Sequence, residues 1–113
     1  MAVFNGAFPI LPDKVDDARA FAREVEGPHR AQHDALQRQE GITRETWSLL
    51  QTPAGAFMLV WFEAPDIEAA FTTLATADDD HASWFRGRVK DVTGVDLTEQ
   101  QQGGPELLLD WRG

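Results

Sequence analysis

The 113-residue chain contains no cysteine and no tyrosine. The absence of cysteine excludes disulfide bonds, thiolate metal sites and a cysteine nucleophile, and the absence of tyrosine excludes phenolic acid–base chemistry. Basic residues are also scarce, since ten Lys and Arg stand against nineteen Asp and Glu, a formal net charge of −9. A nucleic-acid-binding surface needs positive charge, so we expect no nucleic-acid partner. The acidic balance favours ligands that are neutral or cationic.

Long hydrophobic runs are absent as well. The longest apolar run, 56–62, is far too short to cross a bilayer, so we expect no membrane partner. The N-terminus lacks a basic start followed by a long apolar stretch, so we expect no signal peptide and, by default, a cytoplasmic location. The length predicts one domain, 1–113.

The first half of the chain predicts a strand followed by a helical region. The apolar run VFNGAFPI is typical of a strand, and Asp13 is expected to cap the helix that follows. Gly27 and Pro28 interrupt the helical pattern, so we expect either a kink or two abutting helices, 13–26 and 28–40. Gly41 is expected to end this helical region.

The second half predicts a hairpin, two short helices and a final strand. The runs TRETWSLLQ and AFMLVWFEA, joined by Pro53-Ala54-Gly55, are typical of an antiparallel hairpin. Asp66 and the acidic run 78–80 each predict the start of a helix, and Gly94 predicts the end of the second one. The segment QQQGG is interpreted as a flexible linker, and ELLLDW as the last strand.

This order of elements predicts an α+β fold of the ferredoxin-like β-α-β-β-α-β type with a four-stranded antiparallel sheet. The third strand is apolar on both alternations, although a sheet with one solvated face should alternate with polar residues. The helices cover only one face, so the other face requires a second partner. We expect a homodimer in which the sheets of two copies pack together.

Two histidines fall within the apolar stripe of the first helical region. His29 and His33 are spaced i, i+4 and are expected to face the same way, with Val25 and Leu36 in the same arc. Three interpretations stay open: a role in a ligand pocket, a metal site completed by a third ligand such as His81, or a helix edge where both rings hydrogen-bond to backbone or water. We predict no bound metal and no cofactor.

Three longer phrases carry a resemblance to known proteins. FPILPDKVDDARAF, GITRETWSLLQTPAGAFMLVWFEAPDIEAAF and WFRGRVKDVTGVDL resemble an actinobacterial family of short proteins with no established activity. The chain as a whole, from VFNGAFPI to ELLLDW, looks like a member of the dimeric α+β barrel superfamily. That resemblance implies the fold and the dimer. It also implies a ligand pocket between the sheet and the helices of each subunit.

The superfamily includes cofactor-independent monooxygenases, lactone isomerases, haem-degrading enzymes and stress-response proteins without known catalysis. Haem-degrading relatives use an Asn on the first strand with a Trp and a His in the second helical region. Asn5 stands on the matching strand, but Leu74 replaces the Trp and His81 precedes Trp84. This departure argues against haem chemistry.

From these observations we predict a homodimer that binds a small hydrophobic or neutral molecule. As an enzyme it would catalyse proton transfer, isomerisation or cofactor-independent oxygenation, with His33 as the general acid or base and His29 as its orienting neighbour. The predicted substrate-binding residues are Asn5, Trp61, Trp84 and Arg86. The alternatives are a non-catalytic ligand-binding or stress-related dimer and, with weaker support, a metal- or haem-binding protein. A cavity of a few hundred Å³ that touches both histidines would favour the enzyme.

Overall fold

The computed structural model describes residues 1–99 and 104–113, so most of the predicted linker QQQGG lies outside the described residues. The described part of the chain has a mixed α+β fold. Its elements are β1 (Ala2–Pro9), α1 (Val15–Glu26), α2 (Arg30–Glu40), β2 (Arg44–Thr52), β3 (Gly55–Ala64), α3 (Ile67–Thr76) and α4 (Asp80–Thr93).

Local sequence signals determine most helix ends. The predicted break at Gly27 and Pro28 is confirmed, because α1 ends at Glu26 and α2 begins at Arg30. Gly41 ends α2 in the left-handed conformation with φ 73°, a region that glycine enters without a steric penalty. Asp66 caps α3 as predicted, because its carboxylate accepts a 3.0 Å hydrogen bond from the Ala69 amide.

The predicted cap at Asp13 is wrong. Lys14 holds the N-cap position of α1 and makes no side-chain capping bond. Asp13 instead has φ 65°, and the Lys14 amide donates a 3.1 Å hydrogen bond to the Leu11 carbonyl. A proline followed by a residue with positive φ is typical of a type II turn. Asp13 therefore belongs to the turn between β1 and α1 and does not cap the helix.

The strands of the described residues form an antiparallel sheet in the order β1-β3-β2. The hairpin of β2 and β3 is confirmed, and the register places Phe4 opposite Phe62 and Trp47 opposite Val60. One face of the sheet, which we call the inner face, packs against the helices. Side chains from all four helices form core clusters with it. The sheet side chains in those clusters are Phe4, Trp47, Leu49, Ala56, Met58, Val60, Phe62 and Ala64.

The opposite face of the sheet, which we call the outer face, is apolar and carries no helix. Leu50 and Leu59 are exposed there, and Trp61 is half-buried. The two-sided apolar character predicted for β3 is therefore present. No element of the described residues covers this face.

The predicted fourth strand is wrong for the described structure. The segment ELLLDW has no regular secondary structure, and Leu107, Leu108 and Leu109 are 77–85% exposed. A strand is stabilised only where a neighbouring edge pairs with its backbone. Three consecutive leucines also do not alternate, so pairing in a sheet would leave apolar side chains on both faces. The sheet thus has three strands among the described residues rather than the four of the expected barrel.

None of the described helices is both long enough and apolar enough to cross a membrane.

Candidate functional site

A small cavity lies between the inner face of the sheet and the helices. Its volume is about 80 Å³, less than the roughly 150 Å³ of a cavity that holds benzene. Most of its wall is aromatic or aliphatic, and the polar residues that reach it are Gln37, Glu40, Glu45 and Thr93. A ligand of a few heavy atoms would fit, and a larger ligand would require the wall to move.

Two carboxyl groups contribute to this apolar wall. Glu40, the last residue of α2, follows the same helical stripe as His33 and Leu36 and is only 8% exposed. Its side chain makes no hydrogen bond or ion pair with any described residue. A negative charge is also unfavourable at a helix C-terminus. Glu40 therefore occupies a position where an apolar residue would be expected.

Glu45 is held by two hydrogen bonds. It lies on the inner face of β2, where Gln37 Nε2 donates to its Oε1 at 2.8 Å and Trp47 Nε1 donates to its Oε2 at 2.5 Å. Gln37 and Trp47 thereby fix the carboxylate against α2. Arg44, the preceding residue, makes no ion pair with Glu45 among the described residues.

Burial changes the protonation of both carboxyl groups. Burial, and secondarily the charge of Glu45, raises the pKa of Glu40 to about 8. Burial also raises the pKa of Glu45, and the hydrogen bonds from Trp47 and Gln37 partly oppose that change. At neutral pH Glu40 is therefore mostly protonated, and its carboxyl group can donate a hydrogen bond into the cavity.

A larger groove of about 630 Å³ lies beside Glu45, between the helices α1 and α2 and the start of β2. Gln37, Ile42, Glu45 and Trp47 line both the groove and the cavity. The hydrogen-bonded group of Gln37, Glu45 and Trp47, which we call the partition, therefore lies between the groove and the cavity.

All three histidines of the chain meet in a separate cluster beside the groove. His33 Nδ1 and His81 Nε2 are hydrogen-bonded at 3.1 Å. The ring of His29 stacks on Trp84, with centroids 3.7 Å apart and planes 4° apart. His33 packs on Phe85 at 5.1 Å, and Phe85 also lines the cavity. Phe85 thus lies between the histidine cluster and the cavity.

The environment of the cluster favours the neutral form of His33 and of His81. Burial, and then the charge of His81, lowers the pKa of His33 to about 4. Asp34 opposes this change and Arg30 adds to it. Burial and the neighbouring His29 lower the pKa of His81, against the opposing effect of Asp79. His81 Nδ1 is buried without a hydrogen-bond partner.

The histidines do not form a recognisable metal site. No group of three or more His, Asp or Glu side chains in the described part of the chain has an arrangement that would hold a metal ion. The break at Gly27 and Pro28 explains why the two predicted histidines differ in their contacts. His29 is the N-cap of α2, whereas His33 lies one turn inside the helix. His33 lines the groove, and neither histidine lines the cavity.

The other predicted site residues are distributed over three places. Asn5 and Trp61 are cross-strand partners on the outer face, where Arg44 lies over the Trp61 ring at 5.4 Å. Trp84 belongs to the histidine cluster. Arg86 donates hydrogen bonds to the Leu74 and Ala77 carbonyls at the end of α3. The structure does not bring these residues together in one pocket, and their predicted roles stay predictions.

Sequence reasoning missed Glu40 and Glu45 as residues of the cavity. The signal was present in the periodicity, because Glu40 follows His33 and Leu36 at helical spacing and Glu45 alternates with Trp47 on the strand. Charged residues in such positions are usually solvated, so the periodicity alone did not distinguish a buried carboxyl group from a surface one.

Comparison with protein-family models, curated proteins and solved structures gives no match to this chain. The resemblance to dimeric α+β barrel proteins therefore stays a prediction from the sequence.

Proposed function

We propose that the protein is a homodimeric small-molecule-binding protein whose ligand occupies the cavity between the sheet and the helices. The observation that carries this proposal is the pair of carboxyl groups in a mostly apolar wall. Glu40 is 8% exposed and has no hydrogen-bond partner among the described residues, so its carboxyl group is available to a ligand. A ligand with a hydrogen-bonding group would supply the partner that Glu40 lacks.

The groove supports an entry path for this ligand. Gln37, Ile42, Glu45 and Trp47 line both the groove and the cavity, and three of these side chains form the partition. The partition consists of side chains joined by hydrogen bonds, so rotation of these side chains would open it without unfolding of a helix or strand. A hydrophobic molecule of about five heavy atoms suits the cavity volume, and a ceiling of about 1.5 kcal/mol per heavy atom limits its dissociation constant to micromolar values at best.

The binding proposal is tested with 1-butanol in ligand-detected NMR. We expect saturable binding to the wild-type protein and its loss in Ala70→Leu, because Ala70 lines the cavity and is 1% exposed. Thr72→Leu is the matched control on an exposed position of the same helix. If Ala70→Leu does not fold, Val60→Ile fills the cavity by one methylene group and is expected to weaken binding. Equal binding to all variants, or no binding, would contradict the proposal.

The homodimer forms through the outer face in this proposal. The apolar side chains of Leu50, Phe57, Leu59 and Trp61 lie together there without cover from the described chain. A second copy of the same surface would bury them around a two-fold axis, and an obligate contact buries about 2,000 Å² or more in total. Sedimentation velocity should show a dimer that Leu59→Lys converts to a monomer and that Thr72→Lys leaves intact. A monomeric wild-type protein at micromolar concentration would contradict this part of the proposal.

Proton transfer is a second candidate function, and the pKa of Glu40 favours it. A general acid or base works best when its pKa lies near the working pH, and burial places the pKa of Glu40 at about 8. His33, whose pKa is lowered to about 4, is a weaker base at neutral pH. In D2O, 2-butanone should exchange its α-protons faster with the wild-type protein than with Glu40→Gln. Equal exchange rates would contradict this candidate function.

A further inference from the structure

The acidic cavity contains two carboxyl groups and no basic side chain. We infer that its ligand is a small alkylamine whose ammonium group binds beside Glu40 and Glu45, an inference that rests on the proposed binding function. No Lys, Arg or His lines the cavity among the described residues. A cation supplied by the ligand would complete the charge pairing that the protein leaves open.

The two carboxyl groups have complementary roles in this inference. Glu45 already accepts hydrogen bonds from Gln37 and Trp47, whereas Glu40 is more than nine-tenths buried and has no partner in the described chain. Glu40 is therefore the group whose environment an ammonium would change most. The charged hydrogen bond from an ammonium to a carboxylate is about twice as strong as a neutral one.

The arginines near the cavity do not pair with Glu40 or Glu45 in the described structure. Arg30, Arg38 and Arg44 line the groove on the solvent side of the partition. Arg30 pairs with Asp34 at 3.0 Å, and Arg44 lies over Trp61. Asp34, Glu26 and His33 are the other titratable groups of the groove.

Aromatic rings surround the cavity and suit an alkylammonium ligand. Phe4, Phe62 and Phe71 form one group with centroids 5.0–5.6 Å apart, and Phe21 packs on Trp47 at 5.1 Å. All five rings line the cavity. The negative faces of such rings attract a desolvated ammonium, and their apolar surface accommodates the alkyl chain.

In this inference, amine binding is coupled to the release of a proton from Glu40. At neutral pH Glu40 is mostly protonated, and an ammonium beside it favours the carboxylate. Binding of a protonated amine therefore releases up to about one proton from Glu40 to solvent, whereas binding of a neutral alcohol releases none. A measurement of proton release therefore distinguishes a ligand that pairs with a carboxylate from a ligand that is only buried in the apolar cavity.

The test is isothermal titration calorimetry with n-butylamine, 1-butanol and butyrate at pH 7, in phosphate and in MOPS. These two buffers differ in ionisation enthalpy and so report proton release. We expect the amine to bind at least tenfold more tightly than the alcohol, with proton release, and butyrate not to bind. Glu40→Gln should weaken amine binding at least tenfold, abolish the proton release and change alcohol binding less than twofold. Glu68→Gln, which replaces an exposed glutamate of α3 that lines neither the cavity nor the groove, should change neither.

The outcomes distinguish this inference from the proposed function. Equal affinity for the amine and the alcohol would overturn the amine assignment and leave the binding cavity in place. Binding of neither compound would overturn both. Amine binding without proton release, or unaffected by Glu40→Gln, would place the ammonium elsewhere and overturn the assignment. If Glu40→Gln does not fold, Glu45→Gln replaces it in the test. Unchanged amine affinity in Glu45→Gln would likewise overturn the amine assignment.

Discussion

Replacement of Glu40 by glutamine isolates the cost of a buried carboxylate, because glutamine has nearly the shape of a protonated glutamate. The folded protein holds this carboxyl group with a pKa of about 8, against an ordinary value of 4.5. The folded state therefore binds the proton more tightly than the unfolded state does. As the pH rises above 4.5 the unfolded chain loses this proton first, so the wild-type protein loses stability until the pH passes about 8.

The expected effect is large for a single side chain. A shift from 4.5 to about 8 corresponds to at most about 5 kcal/mol. About 3 kcal/mol of this develops between pH 5 and pH 8. Glu40→Gln removes this titration but leaves those of the histidines, so the difference between variant and wild type reports Glu40 alone. The stability advantage of the variant should therefore be below about 1 kcal/mol at pH 5 and should grow by about 3 kcal/mol between pH 5 and pH 8.

Urea denaturation at pH 5, 6, 7 and 8, followed by tryptophan fluorescence, measures this difference. Glu26→Gln is the control, since Glu26 is exposed at the end of α1 and forms no ion pair with any described residue. Its effect should be small and independent of pH. A stability difference for Glu40→Gln that stays constant from pH 5 to pH 8 would refute the argument, because it would show that the carboxyl group is solvated in the folded protein.

The remaining predictions concern the histidine cluster, the core and a helix cap. In an NMR titration the His33 ring should protonate near pH 4, and a midpoint near 6.5 would show that the ring is not buried. The His33 shift alone corresponds to a loss of about 2 kcal/mol of stability as the pH falls from 6.5 to 4, since the unfolded chain takes up the proton first. Leu36→Ala, at a position 2% exposed, should cost about 3 kcal/mol in chemical denaturation, and a cost below about 1 kcal/mol would contradict the described packing. Asp66→Ala removes the acceptor of the Ala69 amide and should cost about 1 kcal/mol in the same assay, whereas Asp66→Asn should retain most of the stability.

The residues that break or cap helices predicted the helix ends well, because their effect on the backbone is local. Gly27 and Pro28 separate α1 from α2, Gly41 ends α2 and Asp66 begins α3, all as the sequence predicts. Asp13 shows the limit of this approach, since a preceding proline favoured a turn over a cap at the same residue. The final strand shows another limit, because strand pairing depends on an edge elsewhere in the chain or in another copy.

The candidate site was only partly accessible from the sequence. Helical spacing brought His29 and His33 to attention, but the contact of His33 with His81 joins residues 48 positions apart. The outer-face pair of Asn5 and Trp61 likewise depends on strand register. The partition of Gln37, Glu45 and Trp47 requires a helix and a strand to pack together, and no local pattern specifies that contact.

By itself, the amino-acid sequence determined most of the helix ends and the β2–β3 hairpin, since φ preferences and capping bonds involve residues within a few positions of one another. It also determined that β3 is apolar on both faces. Only the tertiary structure decided which polar side chains are removed from water. The pKa of Glu40 is raised because its side chain is buried beside a cavity that residues from three strands and four helices line, and its own helix carries no sign of that burial beyond its spacing from Leu36.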